Sequence, residues 1–363
     1  MRTSHKRLWP DLVGARSGQY RPEGAAMTCK VVTSVPKFPE ARCLCFFPGS
    51  QPQEGGASVP TISDYYEIPH PVPFIDIETS ADNRLYVDPH AIRLSTSPQP
   101  FADRAVRFLD TFAEQVTDSI ITGTPMMMLR GQQLLQRFVE PWETRLGMSR
   151  YGFQGHGGAE VVGTWIWDVL TNDVEALVRV GVLKHIEDLP LFVDGVDRDI
   201  TSDITTRIIF DALAQFTEKV VHQYPQFTAG IHQVRSFTKQ IWSADELNWV
   251  DVEVNLPVAG GRALLLVPEG WARPTLLMSG RRYYETSVLS FAQLERAVVG
   301  STGKLIKTPK HRLRSETALR RVRGTNRAIT MRAFENGEDL LAAFKEFVSS
   351  RFDESDGGEP SAA

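Results

Sequence analysis

Apolar side chains recur along this chain with two periods, and the switch between them divides it. Phe101, Ala105, Phe108, Leu109, Phe112, Val116 and Ile120 fall on one stripe at helical spacing, so the stretch predicts an amphipathic helix. A second helix is predicted from about Met126 to Val139, and two more at about 159–170 and 173–187. Ile204, Ile208, Ile209, Leu213, Phe216 and Val220 keep the same spacing and predict another. The run Leu191-Phe192-Val193 just before it reads as a short buried strand, which makes 191–220 a strand-loop-helix unit. After Pro225 the period drops to two. Trp249, Asp251, Glu253 and Asn255 oppose Val250, Val252, Val254 and Leu256, the alternation of a half-solvated antiparallel strand. With 239–242 before it and 262–267 after it, joined through Ala259-Gly260-Gly261, the economical arrangement is a three-stranded meander over 239–267. Nearer the start, 73–78 and 84–88 are β-type runs linked through turn-prone Ala81-Asp82-Asn83 and predict a hairpin. Helix returns at about 281–298 and around 336–350. The expected fold class is α+β, a mostly helical body with a small antiparallel sheet formed by the N-terminal hairpin and the meander.

Residues 1–60 show neither period. They hold 7 of the 22 prolines and all three cysteines, Cys29, Cys43 and Cys45, and are expected to form a disordered extension in which Met27 offers an alternative start. No second Cys or His pair follows Cys43 and Cys45 at zinc spacing, so they read as ordinary reduced thiols. The expected organisation is an extension over 1–60, a globular body over 61–303, a basic segment over 304–330, a C-terminal helix over 331–351 and a disordered tail over 352–363. At 42% hydrophobic and 23% charged the composition is that of a globular protein. No apolar run approaches the roughly 20 residues that span a bilayer, and the first 18 residues lack a signal-peptide core, so the expected compartment is the cytoplasm.

Charge changes the picture, because the net −4 conceals segregation: residues 1–60 sum to +4, 61–303 to −11, 304–327 to +8 and the tail to −5. The acidic body concentrates Asp194, Asp197, Asp199 and Asp203 within ten residues at the start of a predicted helix. Hard divalent cations take several oxygens from one short segment, so these four are candidate ligands for Mg²⁺ or Mn²⁺. Their spacing is not that of a calcium loop. The alternative is capping, with Thr201 or Ser202 as N-cap, the acids at the positive end of the helix dipole, and Arg198 or Arg207 paired with them. A second candidate is 140–160, where Glu143 and Arg145 precede a glycine run that leads into a helix. Backbone N–H groups there can approach a phosphate, with Arg145, Gly155, His156 and Gly157 as its contacts; a flexible glycine-capped loop is the alternative. It is neither a Walker A motif nor a Rossmann fingerprint.

The basic segment carries Lys304, Lys307, Lys310, Arg312, Arg314, Arg320, Arg321, Arg323 and Arg327 against the single acid Glu316. Such a density calls for a polyanion such as DNA or RNA, for a solvated link, or for docking onto the protein's own acidic body. Several chemistries fall away. After residue 60 no Lys has an acid two positions before it, and there is no G-x-S-x-G, no H-E-x-x-H and no Cys beyond 45, which argues against serine hydrolase, zincin and thiol protease chemistry. The pairs Trp165/Trp167 and Trp242/Trp249 read as core and cross-strand packing.

The succession 82–89 (DNRLYVDP), 140–149 (EPWETRLGMS), 191–206 (LFVDGVDRDITSDITT) and 264–268 (LLLVP) resembles a widespread family of uncharacterised bacterial proteins over most of 65–290. In that family the second motif often has Asn where this chain has Trp142, and Val-Pro is often followed by Lys where this chain has Glu269. The resemblance marks segments and implies no reaction. From the residues themselves, the expected function is a metal-dependent phosphodiesterase or nuclease-like activity on nucleic acid. Asp197 and Asp199 would hold the ion, Asp76, Asp88 or Glu143 would contribute from elsewhere in the fold, and the basic segment would grip the polymer. A non-catalytic nucleic-acid-binding or complex-forming protein, and an enzyme on a small phosphorylated or nucleotide ligand, are the alternatives.

Overall fold

Thr61 caps the first helix, α1 (Ile62–Tyr66), and the chain then runs extended, bridging Thr61 to Glu78 and Phe74 to Pro268. The structure is a computed structural model describing residues 60–147 and 156–352, all within the unit Ala57–Ala363. The expected extension up to residue 59, with its three cysteines, and the tail beyond Phe352 lie outside the described residues. β1 (Tyr86–Val87) pairs antiparallel with residues 272–273, so the two N-terminal β-type runs do not pair with each other as the sequence predicts. Their neighbours are the buried residues 264–273, an apolar run too far along the chain for local periodicity to link to them.

Asp88 caps α2 (Pro89–Leu94), whose proline sits where no donor is needed. The predicted stripe becomes α3 (Phe101–Thr122), which buries Phe101, Phe108, Leu109, Phe112, Val116 and Ile120. α4 (Pro125–Gln136) follows, then α5 (His156–Thr171), which lies tight against α4; a Cβ at Gly163 would stand 2.1 Å from the Leu135 carbonyl oxygen. Of the predicted 173–187 helix only α6 (Glu175–Arg179) forms, because Gly181 turns the chain at positive φ. The predicted strand 191–193 is instead part of a helical turn, α7 (Leu189–Phe192). A short, wholly buried apolar run has no periodicity to tell strand from helix, and Pro190 favours the helical start. The long stripe after it splits at Ile209 into α8 (Arg198–Ile208) and α9 (Phe210–Gln223).

The meander forms, β2 (Val234–Ser243), β3 (Asn248–Ala259) and β4 (Arg262–Ala263) in the order β2-β3-β4, with Trp242 opposite Trp249; its first strand starts earlier than the predicted 239 and its third ends at Ala263 rather than at 267. Both indoles are buried edge to face with Phe112 packed against each, and each N–H is satisfied, on the Thr111 hydroxyl and the Leu134 carbonyl. β5 (Ala272–Arg273) is the partner of β1. α10 (Gly280–Tyr283), a π-helical turn and α11 (Leu289–Glu295) fill the predicted 281–298. A hairpin of β6 (Val298–Val299) and β7 (Leu305–Ile306) precedes α12 (Lys310–Ser315), α13 (Arg323–Glu335) and the C-terminal α14 (Leu340–Ser349). The architecture is α+β, with small antiparallel sheets.

Candidate functional site

Asn83 sets the site's geometry. Its amide donates to the carbonyls of Glu78, Ala81 and Arg145, while its backbone carbonyl receives the Gly147 N–H at 3.0 Å, so Asp82 is tied to the 140–147 loop. That loop is anchored from behind by Arg207, 2% exposed on α8, whose guanidinium donates to the carbonyls of Val139, Glu140 and Gln240. Gly147 adopts φ 121°, and a Cβ there would stand 3.1 Å from the Asp199 Oδ1, which brings the loop against the first turn of α8. Asp82, Glu140, Asp199 and Asp203 therefore gather from three segments. A small cleft opens between Phe138, Glu140, Val162, Ile200, Asp203 and Ile204.

The electrostatics of this cluster are repulsive. Burial, then the charges of Asp199 and Asp82, push the Glu140 carboxyl above its ordinary range. Burial, then Asp199 and Glu140, push Asp203 well above its own, and Arg207 offsets this only in part. No described residue donates a hydrogen bond to the Asp203 carboxyl. Two half-buried carboxyls thus share one apolar-walled cleft, and both are biased toward the protonated form. Among the described residues no three His, Cys, Asp or Glu side chains are placed to enclose a metal ion.

Of the acids singled out in the sequence, Asp199 and Asp203 come together and the others are placed elsewhere. Asp197 is the N-cap of α8, its Oδ1 accepting from the N–H groups of Asp199 and Ile200, and Asp194 pairs with Arg327 at 3.1 Å. Asp88, fully buried, receives the N–H groups of His90, Ala91 and Leu277; burial raises its carboxyl. Asp76 receives the Ser63 N–H and hydroxyl, and His70 Nε2 stands 3.4 Å away. This is a clasp on α1 rather than a Ser-His-Asp relay, since hydroxyl and carboxylate meet the same ring nitrogen. Glu143 is buried against Lys239 at 2.5 Å, with Arg207 at 3.9 Å. Arg145 spends its guanidinium on the carbonyls of Thr79 and Trp142, and burial lowers its pKa. Gly155 lies outside the described residues, while His156 and Gly157 open α5. Asp199 and Asp203 are the sequence candidates that remain in the cleft's environment, and Glu140 and Asp82 join them unannounced. Glu140 had one readable signal, its place between the end of a helix and Pro141.

The basic segment is partly neutralised by the body. Lys310 donates to the Glu285 carbonyl and the Ser290 hydroxyl, Arg314 and Arg321 stand 3.6 and 3.7 Å from the Glu285 carboxylate, and Arg323 lies over Gly280. Lys304, Lys307, Arg312 and Arg320 are exposed. No helix among the described residues is long and apolar enough to cross a membrane.

No curated protein and no solved structure matches the chain. A family model does match over residues 68–279, the span that holds Asp82, Glu140, Asp199 and Asp203, and its description is "Domain of unknown function (DUF8370)". The chain belongs to this family, whose matched span contains the whole carboxylate cluster.

Proposed function

We propose that the protein is a nuclease-like hydrolase of nucleic-acid phosphodiesters, with its reaction centre at the Glu140/Asp203 cleft. The observation that carries this reading is the convergence of Asp82, Glu140, Asp199 and Asp203 from three segments into one place, where mutual repulsion and burial push two of them toward the protonated form. A protonated Asp203 gives its proton to the ester oxygen as the P–O bond breaks. Glu140, the less perturbed of the two, takes a proton from the water whose oxygen bonds phosphorus. Solvent then resets both carboxyls.

A phosphodiester entering among four carboxylates needs a cation. Mg²⁺ is commonly held by one or two carboxylates together with the substrate's own phosphate rather than by a protein cage, so a cluster with no ready-made cage is compatible with Mg²⁺ or Mn²⁺ as cofactor. Such an ion would neutralise charge on the phosphate as the bond breaks.

The test is cleavage of labelled single- and double-stranded DNA and RNA in EDTA, Mg²⁺ and Mn²⁺ by the wild type, E140Q and D203N. Wild-type cleavage lost at least 100-fold in both variants supports the reading. Cleavage that survives in both overturns the site, and binding without cleavage under every condition favours a non-catalytic nucleic-acid-binding protein.

A further inference from the structure

The β6–β7 hairpin projects apolar side chains on both of its faces. Val298, Val299, Leu305 and Ile306 are 60%, 72%, 56% and 59% exposed, in a ribbon whose register pairs Val298 with Ile306 and Val299 with Leu305. Adjacent residues of a strand point to opposite faces, so neither side is covered. A two-stranded ribbon with open edges and no packed face is marginal in water and hazardous to solubility. Its base is nevertheless held in place: Arg296 bonds Glu316 at 2.7 Å, and the Gln293 amide donates to the Thr308 carbonyl.

The surrounding charge identifies the kind of partner. Between Glu295 and Glu316 there is no acid; Arg296, Lys310 and Arg314 are engaged by Glu316, Ser290 and Glu285, and the remaining cations there, Lys304, Lys307 and Arg312, are exposed, on a chain whose net charge is −4. Lys304 and Lys307 flank the apolar pair of β7 and are exposed with it. The tip is Gly300-Ser301-Thr302-Gly303, closed by the Gly300 N–H on the Lys304 carbonyl at 2.8 Å and by Gly303 at φ 77°. A polar tip is a poor leading edge for a bilayer and a good one for a nucleic-acid groove.

We infer that this hairpin is a groove-entering ribbon for double-stranded DNA, with Lys304 and Lys307 on phosphates and Val298, Val299, Leu305 and Ile306 against sugars and thymine methyls. The B-form major groove admits a two-stranded ribbon, whereas the deep, narrow A-form groove does not. The inference rests on the nucleic-acid reading above and moves the polymer contact from Arg314 and Arg321, which are ion-paired with Glu285, to the hairpin.

Fluorescence anisotropy of the full chain with a 20-base-pair DNA duplex, the matching RNA duplex and anionic vesicles tests it, alongside K304A/K307A and L305S/I306S. Thermal melts check that each variant is folded. The expected result is DNA binding that K304A/K307A weakens about tenfold, with the salt slope reduced by about 2, and that L305S/I306S weakens about tenfold at an unchanged slope. DNA binding unchanged in both variants overturns the hairpin alone and leaves the hydrolase reading standing. Hairpin-dependent binding without cleavage does the reverse. Vesicle binding in place of DNA binding, or a wild-type dimer by sedimentation that L305S/I306S dissociates, overturns the inference in favour of a membrane surface or a second copy of the chain.

Discussion

Glu187 and Asp203 are both acidic side chains withdrawn from water, yet their surroundings act on them in opposite directions. Glu187 and its neighbour Asp188 are fully buried among cations: Arg93 donates to Glu187 at 2.7 Å, and Lys345 from α14 reaches Asp188 at 2.7 Å and Glu187 at 3.9 Å. The His90 ring, 3.6 Å away, and the charges of Lys345 and Arg93 outweigh burial and hold Glu187 far below the usual carboxylate range. Around Asp203 the dominant neighbours are other carboxylates, so burial and repulsion act together. The first cluster fastens the C-terminal helix to the body, and the second is the place proposed above for the chemistry.

The largest effect is expected from breaking the neutralised side. Lys345→Met leaves Glu187 and Asp188 buried with one cation fewer, and removing one partner of a buried ion network costs about 3–5 kcal/mol. Urea unfolding should show this loss. A loss under about 1 kcal/mol would show that the network acts like surface ion pairs and that α14 is held by Leu341, Phe344 and Val348 alone.

The two regions also predict opposite responses to pH. Asp203 holds its proton more tightly folded than unfolded, so the stability it confers is full below the unfolded carboxyl range and is lost as pH rises through the folded value. Glu187 has a depressed folded value; its contribution is present above the unfolded range and lost as pH falls. Asp203→Asn should therefore flatten the alkaline side of the stability profile and raise stability at pH 8 by on the order of 1 kcal/mol. Melts of both proteins from pH 4 to 9 in EDTA check this, and parallel profiles would mean that Asp203 is not strained by its neighbours. Asp197→Ala should do something different on the same helix, costing about 1 kcal/mol at every pH from 5 to 9 as a lost cap, with no dependence on Mg²⁺.

This contrast explains what the sequence could reveal. α3 and the β2–β3 pair were legible because each is long and one-sided, so period alone names it. Leu191-Phe192 was misread because a short run buried on all sides carries no period. Capping was one of the two readings of the acidic run, but it was placed on Thr201 or Ser202, whereas the helix starts a turn earlier and Asp197 is its N-cap. The cleft was only half legible: Asp199 and Asp203 stand in an obvious acidic run, but Asp82 and Glu140 reach them through the Asn83 clamp and the buried Arg207, contacts that join residues 60 to 70 positions apart. The basic segment was legible as charge but not as geometry, because Glu285, which occupies Arg314 and Arg321, lies outside it.

The smallest expected effect tests the comparison most directly. If repulsion, and not burial alone, raises the carboxyls of the cleft, then an exposed charge at its edge must register inside it. Asp82 is exposed, and its charge acts on Glu140 but is not among the largest influences on Asp203; Asp199 acts on both. With ¹³C-carboxyl labelling, Asp82→Asn should lower the Glu140 midpoint by a few tenths of a pH unit, the size expected for a screened charge near the surface, and leave Asp203 where it was. Asp199→Asn should lower both midpoints by more. Burial is nearly the same in all three proteins, so midpoints that move in neither variant would reduce the cluster to two desolvated acids and remove the electrostatic ground for an ion or a proton relay there. Glu187 serves as the internal control, since neither substitution touches the residues that pair with it.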